Sequence, residues 1–305
     1  MAHPTAKPRH KMSRSQRLET ATGYLFITPY LIAFIIFTGI PFISAFALSF
    51  VNVKFISKLD NLKFVGFGNF IRFFTNAEAM DALWRSILYS LIYVPVIMVL
   101  SFILAYLLNK GVFWAKGIRS MVFLPYISNM VAVAIVFQLL LGPRGPFYLL
   151  QKFFGVEEPI LTLLNQTWAL PTVVLIAVWK SIGLNFLTYL GALQGVDKSL
   201  VEAAQIDGAN KWQQIKNVVI PAVAPTTFFL TISSIITSLQ NFTVISSLTD
   251  GGPGRATTVM SVNIVNTAFV KYETSYAAAQ ALVMFAIVMV ITLIQWRGQK
   301  KWANQ

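Results

Sequence analysis

The chain is 305 residues long, 56% apolar and only 11% charged, with mean hydropathy +0.66, formal net charge +13 and no cysteine. An ordinary soluble domain carries about 25% charged residues, so this composition excludes a typical water-soluble enzyme. Without Cys there is no disulfide framework or thiolate nucleophile, and the only histidines, His3 and His10, stand in a polar leader, so no His-based metal site or Ser/His/Asp triad can be assembled.

A helix crosses a bilayer with roughly 20 predominantly apolar residues. Six stretches meet that length: Tyr24 to Phe50, Ser86 to Leu108, Met121 to Leu141, Ala169 to Leu193, Pro225 to Ser247 and Tyr276 to Trp296. Pro29, Pro41 and Pro95 within them predict bends rather than stops. The first stretch follows Lys7, Arg9, Lys11, Arg14 and Arg17, and Ala45-Phe46-Ala47 imitates a signal-peptidase site. Its apolar run is longer than a signal h-region, which points to a retained anchor. The expected organisation is a cytoplasmic basic tail over residues 1–23, a transmembrane domain over 24–296 and a cytoplasmic tail over 297–305.

Six spans place both termini on one side, and Lys and Arg gather in cytoplasmic loops. With the termini inside, fourteen of the 24 Lys and Arg fall on the inner side, among them Lys110, Lys116, Arg119, Lys198, Lys211, Lys216, Arg297, Lys300 and Lys301. Nine fall outside: Lys54, Lys58, Lys63, Arg72, Arg85, Arg144, Lys152, Arg255 and Lys271. Both termini are therefore expected in the cytoplasm. The high pI reads as a topology signal beside anionic lipid, and no nucleic-acid partner is needed to explain it.

Between the fourth and fifth stretches lies a polar loop, residues 195–221, that a simple bundle does not require. Ser199 and Glu202 have capping-box spacing and predict a helix start; Asp207-Gly208 predicts its end, because Gly accepts the left-handed conformation. Asn210 and Gln213 predict a second cap, and Pro221 closes the element. Trp212, Ile215 and Val219 recur at helical spacing, while Ala203, Ala204 and Ala209 give a smooth surface. An interfacial connector favours a cationic polar face. Here Asp197, Glu202 and Asp207 offset three lysines, which favours docking on a protein.

The fifth stretch is too polar to face lipid: ten of the eighteen residues from Thr226 to Thr243 carry a hydroxyl or amide. Thr231, Ser234, Ser238 and Asn241 fall within an arc of roughly 80° at helical spacing. Such a stripe suits sugar hydroxyls or, equally, helix-to-helix adhesion. Lys180 is the one charge deep within a span; a functional cation and a snorkelling or carbonyl-bonded lysine at the cavity wall are both open, and Trp179 and Gly183 beside it read as packing.

Glu202-Ala203-Ala204, then Asp207-Gly208-Ala209, then Ile220-Pro221 resembles the EAA loop of the membrane subunits of binding-protein-dependent ABC importers. Phe64-Val-Gly-Phe-Gly-Asn-Phe70 and Leu248-Thr-Asp-Gly-Gly-Pro-Gly254 are similar to the carbohydrate-uptake branch and its maltose-type first permeases. Many such relatives have Ile-Pro where this chain has Val196-Asp197. The resemblance implies an all-α fold of six transmembrane helices with a cytoplasmic coupling-helix loop, in the cytoplasmic membrane of a prokaryote. It also implies four kinds of partner: a homologous second permease, an ATPase dimer, an extracytoplasmic solute-binding protein and a sugar cargo. The chain has no Gly-x-x-x-x-Gly-Lys-Ser/Thr loop to cradle ATP phosphates, so ATP and Mg belong to the partner ATPase and no cofactor is expected here.

Within that family the coupling positions fall on Glu202, Ala203, Ala204, Asp207, Gly208, Ala209 and Pro221. Glu202 would pair with a base of the ATPase, the alanines would allow close approach, and Gly208 would set the angle between two short helices. Sugar-contacting positions fall on Ser181, Leu184, Ser234, Ser238 and Asn241, while a further family contact falls on Ala177, too small and apolar to hydrogen-bond. The resemblance thus implies a saccharide other than maltose, with glycerol phosphate as a neighbouring class. A self-contained secondary transporter would instead call for an intramembrane carboxylate, yet all eleven acidic residues lie outside the six stretches.

Overall fold

The computed structural model describes residues 14–53, 62–109, 111, 113–156 and 158–302. Of the residues used above, His3, Lys7, Arg9, His10, Lys11, Lys54, Lys58 and Lys110 lie outside these ranges.

Helices α1 (Arg14–Phe34) and α2 (Ile40–Ser49) are joined by a π-helical turn at Ile35–Gly39, beside Pro41, which has no N–H to continue the α ladder. The first stretch is thus one rod over Leu18–Ser49. None of its most apolar window is buried, and it meets the bundle only near its end, where Phe42 lies edge-on to Phe285 at 5.7 Å. A short antiparallel ribbon follows, with Val51 opposite Phe64 and Asn52 opposite Lys63. The aromatic and glycine motif at 64–70 closes this corner: Asn69 Nδ2 donates to the carbonyls of Ser49 and Val51, both at 2.9 Å, and Phe50, Phe67 and Phe70 stack around it.

The remaining helices are α3 (Gly68–Thr75), α4 (Ala77–Asn109), α5 (Ala115–Ile127), α6 (Met130–Leu141), α7 (Pro146–Phe153), α8 (Ala169–Gln194), α9 (Lys198–Ile206) and α10 (Lys211–Gln214). After a π turn at Ile215–Val219 come α11 (Ile220–Ala222), α12 (Ala224–Leu239), α13 (Thr243–Leu248), α14 (Met260–Val265) and α15 (Thr274–Trp302). Among the described residues five segments are long and apolar enough to cross a bilayer: Leu18–Ser49, Ala77–Asn109, Met130–Phe153, Ala169–Gln194 and Thr274–Arg297. A sixth follows if Lys211–Ala222 and Ala224–Leu239, bent by 68°, count as one span. The protein is an all-α integral membrane bundle.

Helix α8 is its axis. Of its most apolar window 56% is buried, more than in any other candidate span. Association in a bilayer depends on close packing rather than on removal from water. Gly183 shows this directly: a Cβ there would sit 2.9 Å from Phe123 Cα and 2.9 Å from the Val122 carbonyl, so only glycine lets α5 lie this close to α8. Trp179 packs edge-on to Phe137 at 5.3 Å, and Phe102 packs edge-on to Tyr189 at 5.6 Å.

Two of the six stretches are not single helices. Met121 to Leu141 breaks at Ser128 and Asn129, both extended; Asn129 Oδ1 starts α6 by accepting the N–H groups of Val131 and Ala132 at 2.8 and 3.3 Å. Pro225 to Ser247 breaks at Gln240 to Phe242, where Asn241 Oδ1 accepts the Val244 N–H at 3.3 Å. In both places a short amide side chain replaces lost helical bonds, the condition for broken backbone within a bilayer.

Candidate functional site

The loop at 195–221 forms the two short helices the spacing predicts, with one difference at its start. The first cap is Asp197, not Ser199: the Ser199 N–H donates to Asp197 Oδ1 at 2.8 Å, and α9 begins at Lys198. The departure at Val196-Asp197 therefore supplies a cap of its own. That bond holds the exposed Asp197 carboxyl below its ordinary range. At the far end Ala209 N donates to the Ala204 carbonyl at 2.9 Å and Gly208 N to the Gln205 carbonyl at 3.1 Å, with Gly208 at φ +81°. This is the Schellman pattern, and the left-handed residue turns the chain into α10. There Asn210 and Gln213 cap each other reciprocally at 2.8 and 2.9 Å. Pro221 stands in α11, beyond the π turn and one residue before the helix ends at Ala222 and the chain bends into α12.

The two short helices stand out from the described part of the bundle. No residue of α9 or α10 is buried, and Leu200, Ile206 and Trp212 are exposed. Glu202, Ala203, Asp207, Gly208 and Pro221 are exposed, while Ala204 and Ala209 are half-buried. No ion pair among the described residues involves Asp197, Glu202 or Asp207. Behind α9 a cavity of about 470 Å³ separates Glu202 and Lys198 from the ends of α4 and α8 at Asn109 and Gln194.

A second cavity, of about 460 Å³, opens between the two helix breaks. Lys180, Ser181, Thr237, Gln240, Asn241 and Thr243 form its polar wall, and Tyr126 and Met130 come from either side of the α5–α6 break. Lys180 Nζ lies 3.1, 3.0 and 2.9 Å from the carbonyl oxygens of Pro125, Tyr126 and Ser128 at the end of α5, where the Pro125 carbonyl also accepts the Ser128 N–H at 3.2 Å. Asn241 Nδ2 donates to the Tyr89 hydroxyl at 2.9 Å, and its carbonyl accepts from Ser261 Oγ at 2.9 Å.

The structure thus brings Ser181 and Asn241 into one recess and places the other stripe residues elsewhere. Ser234 is buried and accepts from Asn185 Nδ2 at 3.2 Å; Ser238 is buried with its Oγ 2.8 Å from Ser90 Oγ, so both tie α12 to neighbouring helices. Thr231 Oγ1 bonds back to the Thr227 carbonyl at 2.8 Å. Leu184 is exposed on the bundle surface and Ala177 is fully buried. The recess adds Lys180, Gln240 and Thr243 to the set drawn from sequence. Lys180 signalled itself as the lone charge of a span.

At the opposite end of α8 the motif at 248–254 forms a locked loop. Asp250, Gly251 and Gly254 are left-handed at φ +47°, +90° and +66°. Thr257 Oγ1 lies 2.6 Å from Thr249 Oγ1 and 2.8 Å from the Gly252 carbonyl, and Thr258 Oγ1 donates to the Gly251 carbonyl at 3.0 Å. Glu78 pairs there with Arg255 at 2.7 Å and with Lys271 at 2.5 Å, and Arg72 with Glu273 at 2.7 Å.

Comparison with known proteins accords with this architecture. The family of binding-protein-dependent transport system inner membrane components matches residues 80–298. The probable ABC transporter permease protein YesP of Bacillus subtilis is 33% identical over 301 residues, 96% of this chain and 95% of that protein. The lactose transport system permease protein LacF of Rhizobium radiobacter is 31% identical, covering 95% of this chain and 97% of its own. The sn-glycerol-3-phosphate transport system permease protein UgpA of Pectobacterium atrosepticum is 30% identical, covering 92% and 95%. Among solved structures, a chain of a bacterial ABC transporter involved in the import of the acidic polysaccharide alginate superposes with a TM-score of 0.80 at 23% identity, covering 94% of this chain and 98% of that one. With its exposed elbow, its broken spans and a match over most of its length, the chain belongs to the family of binding-protein-dependent transport system inner membrane components.

Proposed function

We propose that this chain is a non-catalytic permease subunit of an ATP-driven importer, forming the translocation path for a saccharide or a related small solute. The observation that carries the reading is the elbow at 195–221: two capped helices, held at a fixed angle by Gly208, that project from the bundle with Leu200, Glu202, Ile206, Asp207 and Trp212 exposed. A structure so well determined yet so exposed is a handle for another protein. The occupant is an ATPase, because the chain has no phosphate-cradling loop of its own and its relatives include ABC transporter permeases. Two ATPase copies, a second homologous permease and an extracytoplasmic solute-binding protein complete the complex, with both termini and the elbow in the cytoplasm.

Cargo passes the recess at Ser181 and Asn241, whose neutral donors and acceptors suit hydroxyl groups; Ser234 and Ser238 hold α12 in place beside it. The names of the relatives, which include lactose and sn-glycerol-3-phosphate permeases, bracket the cargo class. Closure of the ATPases draws on the elbow and turns the recess outward, the binding protein releases cargo into it, and hydrolysis resets the inward state.

The test is uptake in cells depleted of ATP but holding their ion gradient, with copurification of the ATPase from the same cells. Uptake collapses and an ATPase copurifies. Uptake sustained by vesicles containing this polypeptide alone would overturn the reading.

A further inference from the structure

The recess between the two helix breaks has a single formal charge in its wall. Of the residues that line it only Lys180 is ionisable to a cation, and none is a carboxylate. An ammonium within a span is costly, and such residues mark substrate paths. Here it neither reaches for an interface nor pairs with an acid: all four ion pairs among the described residues lie elsewhere, at Glu78, Asp81 and Glu273.

Its three contacts are the carbonyls of Pro125, Tyr126 and Ser128. Carbonyls are dipoles, and the end of a helix offers about half a negative charge, so the clasp fixes the ammonium in place without cancelling it. A neutral amide, with two N–H donors, could satisfy two of these three carbonyls without placing a charge in the span. What the lysine adds is a positive potential, held rigid beside the neutral donors and acceptors of Ser181, Gln240 and Asn241.

We infer that this recess selects a saccharide carrying an anionic group, a carboxylate-bearing sugar rather than a neutral one, with Lys180 as the residue that reads the charge. The inference rests on the saccharide-importer reading and narrows it. The anion need not displace a carbonyl: attraction between opposite charges acts over several ångströms, and a cation already in place requires no reorganisation.

The experiment uses the whole importer in proteoliposomes, its binding protein loaded in turn with a uronate disaccharide and with the neutral disaccharide in which the carboxylate is reduced to an alcohol. The intact importer carries the uronate at least tenfold faster. Lys180→Met removes that preference by lowering the uronate-to-neutral rate ratio at least tenfold, and Lys180→Arg restores it. Because Lys180→Met also uncaps α5, Thr243→Asp is the second arm: it places a counter-charge on the same wall at the first residue of α13, where an acid is well tolerated. This variant lowers the uronate-to-neutral ratio at least tenfold with the clasp intact. Equal rates in the intact importer, a binding protein that accepts only the neutral sugar, or a ratio unmoved by both variants overturns the inference. If the assembled, ATP-hydrolysing importer carries neither sugar, the saccharide reading itself falls.

Discussion

The two ends of α8 are finished in opposite ways. At its first end the loop around 248–259 is closed by its own residues: three left-handed positions, two threonines bonded to loop carbonyls, and Glu78 shared between Arg255 and Lys271. At its last end the elbow has equally definite backbone geometry, with a Schellman turn and a reciprocal cap, yet no residue of its two short helices is buried and Leu200, Ile206 and Trp212 are exposed. Order at the first end is a product of tertiary contact. Order at the second is local, coded by caps and one glycine, as a surface that must survive unpartnered requires. The difference also refines the charge count. Arg72, Arg85, Arg255 and Lys271, all assigned to outer loops, carry acidic partners, whereas Lys198, Lys211 and Lys216 in the elbow have no ion pair among the described residues.

The comparison breaks most sharply on its two left-handed glycines. A Cβ at Gly251 would lie 2.6 Å from Thr258 Oγ1, whereas one at Gly208 would meet nothing within 4 Å. Gly251→Ala therefore adds backbone strain to the loss of the Thr258 bond, about 2–3 kcal/mol in all. Gly208→Ala costs only the strain, about 1 kcal/mol, spent locally. The expected outcome is a lowered melting temperature in detergent for Gly251→Ala. Gly208→Val leaves that temperature near its starting value but loses ATPase association and uptake. Equal thermal losses at both positions would dissolve the distinction between the two ends.

Midway between them, Gly183→Ala tests the axis itself. The new methyl meets backbone atoms at 2.9 Å on α5, which a rotamer change cannot relieve, so the two helices must part at a cost of about 1–3 kcal/mol. The Lys180 clasp on the same pair of helices loosens with them. Thermal stability falls while ATPase association through the elbow persists, which a pull-down against a melting curve checks.

Much of this was legible in the chain of letters, because its signals are local. Apolar length located the spans, Asp207-Gly208 the turn, and Asn210 with Gln213 the second cap. Asp197 was overlooked as a cap because Ser199 and Glu202 offered the more familiar spacing. The helix breaks could not be read from hydropathy, since Ser128-Asn129 and Gln240-Asn241 interrupt the hydrogen-bond ladder without interrupting the apolar run enough to register. Nor could the fate of the hydroxyl stripe. Thr231, Ser234, Ser238 and Asn241 share an arc, but which of them meets a neighbouring helix and which meets a recess depends on Asn185, Ser90 and Tyr89, residues far off in sequence.

Carboxylates give a subtler contrast. Glu78→Gln removes two ion pairs whose side chains are a third to a half exposed, so its effect on stability stays near 1 kcal/mol and shrinks as salt rises. Glu202→Gln removes no pair among the described residues and leaves the melting curve unchanged. If Glu202 meets a base on the ATPase, uptake drops instead. A salt titration of melting temperature for the two variants separates them: the intact protein loses its advantage over Glu78→Gln at high salt and has none over Glu202→Gln at any salt.

The smallest effect belongs to the cap of α9. The Ser199 N–H holds the Asp197 carboxyl below its ordinary value, so the charged form is bound more tightly in the formed helix than in the frayed one. For a depressed carboxyl the contribution is fully present above the unfolded value, near 3.9, and is lost as the pH falls through the lower folded value. Amide exchange over the first turn of α9 should therefore quicken below about pH 4 relative to the bundle, after correction for intrinsic rates. Asp197→Asn keeps an acceptor of similar capping strength but has no proton to gain, so its exchange profile becomes flat in that window while protection at neutral pH stays close to that of the parent. Asp197→Ala loses protection at every pH. A pH dependence that survives Asp197→Asn would assign the titration to another group and return the start of the helix to Ser199 and Glu202.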